Sequence, residues 1–172
     1  RAMKGQAMRG TITAVVFAVL VTGCGGGDPQ PPVVVLDSGR ATGQSEVANS
    51  KDFGDYVLHF NALTTDSITA EVARQYGITR SSNRALLNVS IVKKQGAGAD
   101  RPVAGSVTAR AVNLTGQLKN LELRQVVDGD AVYYIGEVPV ANRETLIFDI
   151  SATPINESSR FDARFQQQFF ID

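Results

Sequence analysis

The chain contains a single histidine, His59, inside the run "FGDYVLHFNA". Read as an extended strand, this run places Asp55, His59 and Asn61 on one face, with Val57 between them. Alternate residues on a strand face stand roughly 6.5–7 Å apart. An Asp–His–Asn row of this kind can orient an imidazole, grip a polar ligand or supply part of a metal site. A metal site needs further ligands, and no other spacing in the chain supplies them, so no metal and no cofactor is expected. A hydrolase needs a nucleophile beside its base, and there is no G-x-S-x-G elbow. The competing reading of His59 is structural, and it is the default for a lone strand histidine. "DGD" at Asp128–Asp130 has two carboxylates where a calcium loop uses a longer series. A hairpin turn of type I′ is the better reading there, because Asp-Gly between apolar runs supplies the positive φ such a turn needs. Tyr76, Tyr133 and Tyr134 form a candidate aromatic platform, against the plainer role of tyrosine on half-buried strands. No catalytic residue is assigned. The candidate ligand-binding residues are Asp55, His59 and Asn61.

The elements that must position these residues follow from a period of two. In the first strand run, Phe53–Ala62, the inner face is Tyr56, Leu58, Phe60 and Ala62. "RALLNVSIVKK" turns Ala85, Leu87, Val89 and Ile91 inward, and "PVAGSVTARAVNL" is a third strand region. "LKNLELRQVV" and "AVYYIGEVPV" flank the Asp-Gly turn. "TLIFDISAT" buries Leu146, Phe148 and Ile150, and the last strand buries Phe161, Ala163, Phe165 and Phe169, leaving Phe170 out of register. One helix interrupts the strands. "SITAEVARQYGI" offers Ser67 or Thr69 as N-cap, Glu71 in the first turn and Gly77 as the left-handed stop, with Ile68, Val72, Ala73 and Tyr76 on the buried side. About seven short alternating strands over roughly 120 residues predict an all-β, immunoglobulin-like two-sheet sandwich with one short helix. The cysteine and tryptophan signature of true immunoglobulin domains is missing.

The N-terminal residues carry an address. Arg1, Lys4 and Arg9 precede the apolar run Thr11–Val21, and no acidic residue occurs before Asp28. That run has the length of a secretory signal core and is shorter than the roughly 17–25 residues a membrane helix needs. Met8 would open a compact signal with one Arg before the apolar core. "LVTGC" resembles the bacterial lipobox, which implies cleavage before Cys24 and lipid attachment to its thiol. A lipidated thiol needs no disulfide partner, which accounts for a chain with one cysteine. Each buried methylene adds about 0.8 kcal/mol, so two or more acyl chains such as palmitate hold stably. Gly25, rather than Asp, after the cysteine implies the outer membrane, by resemblance to enterobacterial sorting. The expected organisation is a signal peptide at 1–23, a lipidated Cys24 with a Gly- and Pro-rich tether to 48, and the sandwich domain at 49–172. Within the tether, Val33–Leu36 is the one apolar patch. The full chain balances 17 basic against 17 acidic residues. Losing Arg1, Lys4 and Arg9 leaves a mature net charge of about −3, with no basic patch for nucleic acid.

The stretches "NSKDFGDYVLHFNAL", "EVARQYGI", "RALLNVSIVKK", "NLTGQL", "DGDAVYYIGEVPV", "ETLIFDI" and "RFQQQFF" follow one another along the chain. Taken in series, they resemble the domain-of-unknown-function-4426 family of bacterial periplasmic proteins. The resemblance runs from about Asn49 to Asp172 and implies an envelope β-sandwich with no assigned activity. A lipobox before a long tether departs from the commoner form.

Two functional classes remain open. The first is a non-catalytic binding or scaffold module that meets an envelope protein through an exposed sheet edge or apolar strip. The second is a small-ligand or enzymatic domain centred on Asp55, His59 and Asn61, which requires a concave pocket lined by those three. The first is preferred, because the second asks one histidine to carry a site without visible helpers. The expected location is the cell envelope, lipid-anchored to the outer membrane and facing the periplasm.

Overall fold

The computed structural model describes residues 49–171. The expected signal peptide, Cys24 and the tether lie outside the described residues. Ten strands form two antiparallel sheets. The first sheet contains β1 (Ser50–Asp52), β2 (Tyr56–Thr64), β3 (Arg84–Lys93), β8 (Ala131–Pro139) and β7 (Arg124–Asp128) in that order, with β4 (Arg101–Val103) also pairing β3. The second runs β10 (Phe161–Gln168), β9 (Thr145–Pro154), β5 (Gly105–Asn113) and β6 (Leu118–Lys119). A 3₁₀ turn (Thr65–Ser67) and the helix α1 (Ala70–Gln75) join β2 to β3.

The core between the sheets is what alternation predicts. Leu58, Leu87, Val89 and Ile91 from one sheet meet Leu146, Phe148 and Ile150 from the other, and all are essentially inaccessible to water. Rings continue the contact. Phe148 stacks on Phe165 at 4.9 Å, Phe165 on Phe60 at 4.9 Å, and Phe53 on Phe161 at 4.6 Å. Each buried aromatic or branched aliphatic side chain stabilises the fold by about 1.5–3 kcal/mol relative to exposure.

Seven strands have five or more residues, and the three further ones, β1, β4 and β6, have two or three each. β4 and β6 arise where a sequence run that alternates without a break is divided by tertiary structure, and β1 precedes the first alternating run. The run from Phe53 begins as a turn, with Gly54 at φ 82°, and β1 folds back on β2 in the register Ser50↔His59. The run from Pro102 crosses from the first sheet to the second between Val103 and Gly105. A Cβ on Gly105 would lie 2.4 Å from the Thr153 carbonyl oxygen, so only glycine fits this crossing. The run from Leu118 likewise divides into β6 of one sheet and β7 of the other.

The β7–β8 hairpin has the two-residue turn Gly129–Asp130 between the paired residues Asp128 and Ala131. Gly129 has φ 56°, and Asp130 is not among the positive-φ residues. A glycine with positive φ at the first central position alone is the type II′ pattern. The expected type I′ turn is therefore corrected. Both primed turns match strand twist, and the choice rests on Asp130 avoiding the left-handed region, which costs an L-residue energy.

Candidate functional site

The six-stranded sheet is covered on both faces. On its outer face, Leu86 of β3 and Ile135 of β8 pack under Ile68, Ala73 and Ile78 from the segment that carries α1. A small second core results, with Leu63, Val72, Tyr76, Val126 and Tyr133 around it. This core is incompletely filled. A pocket of about 320 Å³ lies between the arm and the sheet. Its floor is Asn61 and Leu63 of β2, Leu86 and Asn88 of β3, Tyr133 and Ile135 of β8, and Val126 of β7. Its roof is Ser67, Ile68, Thr69, Val72, Tyr76 and Ile78.

Local chemistry holds the roof in place. Thr65 is fully buried, and its hydroxyl lies 2.7 Å from the Thr79 carbonyl and accepts the Ser81 N–H at 2.8 Å. That pins the start of the segment that carries α1 to the Thr79–Ser81 stretch leading into β3. Thr69, one of the two expected N-caps, accepts the Val72 N–H at 3.3 Å. Gly77 ends the helix at φ 62°, and the Ile78 N–H returns to the Ala73 carbonyl at 2.8 Å. The far end is fastened to β7. The Tyr76 hydroxyl donates to Asp128 Oδ2 at 2.7 Å, and Arg124 donates to the Tyr76 carbonyl. Burial, and then the Asp128 carboxylate beside it, push the Tyr76 phenol up to about 12. Tyr133 is raised for the same two reasons, burial first. Both phenols stay neutral at physiological pH and keep their protons to donate.

The pocket is apolar but not wholly so. Asn88 faces Asn61 across the β2–β3 ladder. The side-chain oxygen of Asn88 is buried and has no hydrogen-bond partner among the described residues. Among the described residues, no Asp, Glu, Lys, Arg or His lines the pocket. Such a cavity binds by excluding water from apolar surface and orients its guest through few polar atoms.

Of the residues singled out from the sequence, Asn61 lines this pocket. His59 lies on β2 and is exposed, paired in register with Ser50 and Ser90. Asp55 is exposed and precedes β2 in the β1–β2 turn, where its carbonyl accepts the Lys94 N–H at 2.8 Å. The structure therefore does not gather the three around one concavity. Of the three tyrosines, Tyr76 and Tyr133 reach the pocket, whereas Tyr134 is buried between the sheets. Leu86, Asn88 and Ile135 are among the lining residues that sequence reasoning missed, with Leu63, Ile78 and Val126. Leu86 and Ile135 carried a signal in "ALL" and "YYIG", where apolar residues run on without alternation, as strands covered on both faces do, whereas Asn88 carried none.

Among the described residues, no group of three or more His, Cys, Asp or Glu is placed to hold a metal ion. No described helix is long and apolar enough to cross a membrane. A second hollow of about 740 Å³, shallower and more polar, lies beside β4 and the Gly129–Asp130 turn. Among the described residues, β10 is an edge strand. Since the Phe169 N–H faces the Glu144 carbonyl, the even-numbered peptide groups of β10 face outward. Lys51 covers the Asp162 carbonyl at 2.9 Å and Gln167 covers that of Gln168 at 2.9 Å. The edge is thus capped at both ends, a common guard against unwanted strand pairing. Phe170 is exposed, as its break in register predicts.

The comparisons with known proteins agree with this architecture. The family model for the domain of unknown function DUF4426 matches residues 50–172. A crystal structure of a DUF4426 family protein from Pseudomonas aeruginosa PAO1 is similar at 31% sequence identity and a TM-score of 0.62, covering 72% of this chain and 94% of that one. No curated protein matches. The chain belongs to the DUF4426 family.

Proposed function

We propose that this DUF4426 protein is a non-catalytic binding module of the bacterial envelope that takes an apolar group into the pocket beneath α1. The observation that carries this reading is the pocket itself. It joins apolar walls, a roof fastened at both ends and one unpartnered polar atom at its floor. Burying an apolar guest there returns roughly 25 cal/mol for each Å² removed from water. The lipobox-like "LVTGC" supports attachment through Cys24 to the outer membrane, facing the periplasm. In that arrangement the tether to residue 48 gives the domain its reach, and its partner is another component of the envelope.

The test is saturable binding of 1-naphthylamine, a neutral apolar fluorophore. Binding to the wild type with one site per chain, lost in Val126→Trp with an unchanged circular dichroism spectrum, supports the pocket. No saturable binding, or equal binding by the filled variant, refutes it. Cell fractionation of Cys24→Ala tests the anchor, which requires the variant to leave the membrane fraction.

A further inference from the structure

The floor of the pocket sets the chemistry of its guest. Resting on the binding reading above, we infer that the pocket selects a neutral, mostly apolar ligand with one hydrogen-bond donor, which it offers to Asn88 Oδ1. Among the described residues, no other polar side-chain atom around the pocket is both buried and unpartnered. Ser67 Oγ shares a hydrogen bond with Thr64 Oγ1 at 3.0 Å, Thr69 Oγ1 caps the helix, and the Tyr76 hydroxyl is given to Asp128. Asn88 Oδ1 is buried with nothing to accept. A buried acceptor left empty costs free energy that a donor on the guest recovers. A guest with no donor leaves that cost in place.

Charge is excluded on separate grounds. The lining carries no ionisable side chain apart from the two tyrosines, so an ion would enter without a counter-charge. An anion would also meet Asp128, which lies against Tyr76 at the rim. Size follows from volume. At roughly 30 Å³ for each water-sized unit, the cavity holds about ten non-hydrogen atoms.

The experiment uses the full chain and two probes of that size, 4-propylphenol and its methyl ether 4-propylanisole, which differ by one donor. Binding is followed by chemical-shift changes at Leu86, Tyr133 and Ile135. The wild type should bind the phenol about tenfold more tightly than the ether, the scale of one buried hydrogen bond. In Asn88→Leu that preference should vanish while the ether binds at least as well as before. Asn88→Val, β-branched and at home on a strand, repeats the measurement if the leucine variant does not fold. Equal affinity in the wild type, tighter binding of the ether, or a preference that survives both variants overturns donor selection and leaves the pocket reading standing. No shift change with either probe overturns both.

Discussion

Tyr134→Phe isolates one atom that ties the two sheets together. The Tyr134 hydroxyl accepts the Gly105 N–H at 2.7 Å and donates to the Gly105 carbonyl at 2.8 Å. Among the described residues, these two backbone groups have no strand to pair with. Ile155 N–H donates to the Ala104 carbonyl, so Gly105, opposite Pro154, turns its own groups away from β9. On that other side β6 begins its pairing only at Ala111 and Val112. A tyrosine from the opposite sheet stands where a neighbouring strand would be. Phenylalanine keeps the shape of the ring and leaves no cavity at the packed aromatic face, so the change reads the hydrogen bonds alone. Two bonds at about 1 kcal/mol each predict a loss of about 2 kcal/mol. With an unfolding entropy of about 2.1 cal/mol/K per residue over roughly 120 residues, Tm falls by about 8 °C. Thermal denaturation by circular dichroism measures this. Amide exchange at Gly105 should accelerate in the same variant. Tyr56→Phe is the internal comparison, because Tyr56 makes a single bond, to Glu157 at 2.8 Å, and should lose about half as much. A Tyr134→Phe protein within about 2 °C of wild type would refute the reasoning, since it would mean that solvent replaces the hydroxyl without cost.

Other outcomes follow from the same geometry. Burial of Glu144 works against its charged form, but Lys119 at 2.7 Å, the Ala141 N–H and the Asn113 amide outweigh it and hold the carboxyl below its ordinary value. A lowered folded value means stability that is present above the ordinary carboxylate range and lost as pH falls through the folded value. Glu144→Gln should therefore unfold with a shallower acid dependence and, at neutral pH, lose about 3 kcal/mol, because Lys119 is only 15% exposed and loses its partner. Denaturant titrations at pH 7 and pH 3 check both statements, and an unchanged pH slope rejects the assignment. Gly136→Ala would place a Cβ 2.6 Å from the Glu122 carbonyl oxygen and 2.8 Å from both Leu121 and Leu123. A loss of about 1–3 kcal/mol in urea denaturation is expected, and an unchanged midpoint contradicts it. His59→Ala should stay within about 0.5 kcal/mol of wild type and bind the naphthylamine probe equally, because His59 is exposed and outside the pocket. Lost binding would return weight to the Asp55–His59–Asn61 row. Tyr76→Phe removes the bond to Asp128 and should speed amide exchange across α1 more than across β9, which hydrogen-exchange mass spectrometry resolves.

The sequence by itself determined the local features of this protein. The inward faces of β2, β3, β9 and β10, the Thr69 cap, the Gly77 stop and the exposed Phe170 were all legible, because alternation and capping depend on neighbours within a few residues. Family membership was legible for a similar reason, since its motifs recur in series along the chain. The tertiary structure alone decided how the strands were shared between sheets. Nothing local to "PVAGSVTARAVNL" or "LKNLELRQVV" marks where each run leaves one sheet for the other, because the crossing at Gly105 is dictated by a carbonyl on Thr153 and a hydroxyl on Tyr134. The candidate site was hidden for the same cause. A period of two says which residues share a face, but not whether a helix will return to cover the second face. Asn88 reads as an ordinary outward strand residue until α1 folds over it, and only that long-range closure turns its side chain into the buried floor of a pocket.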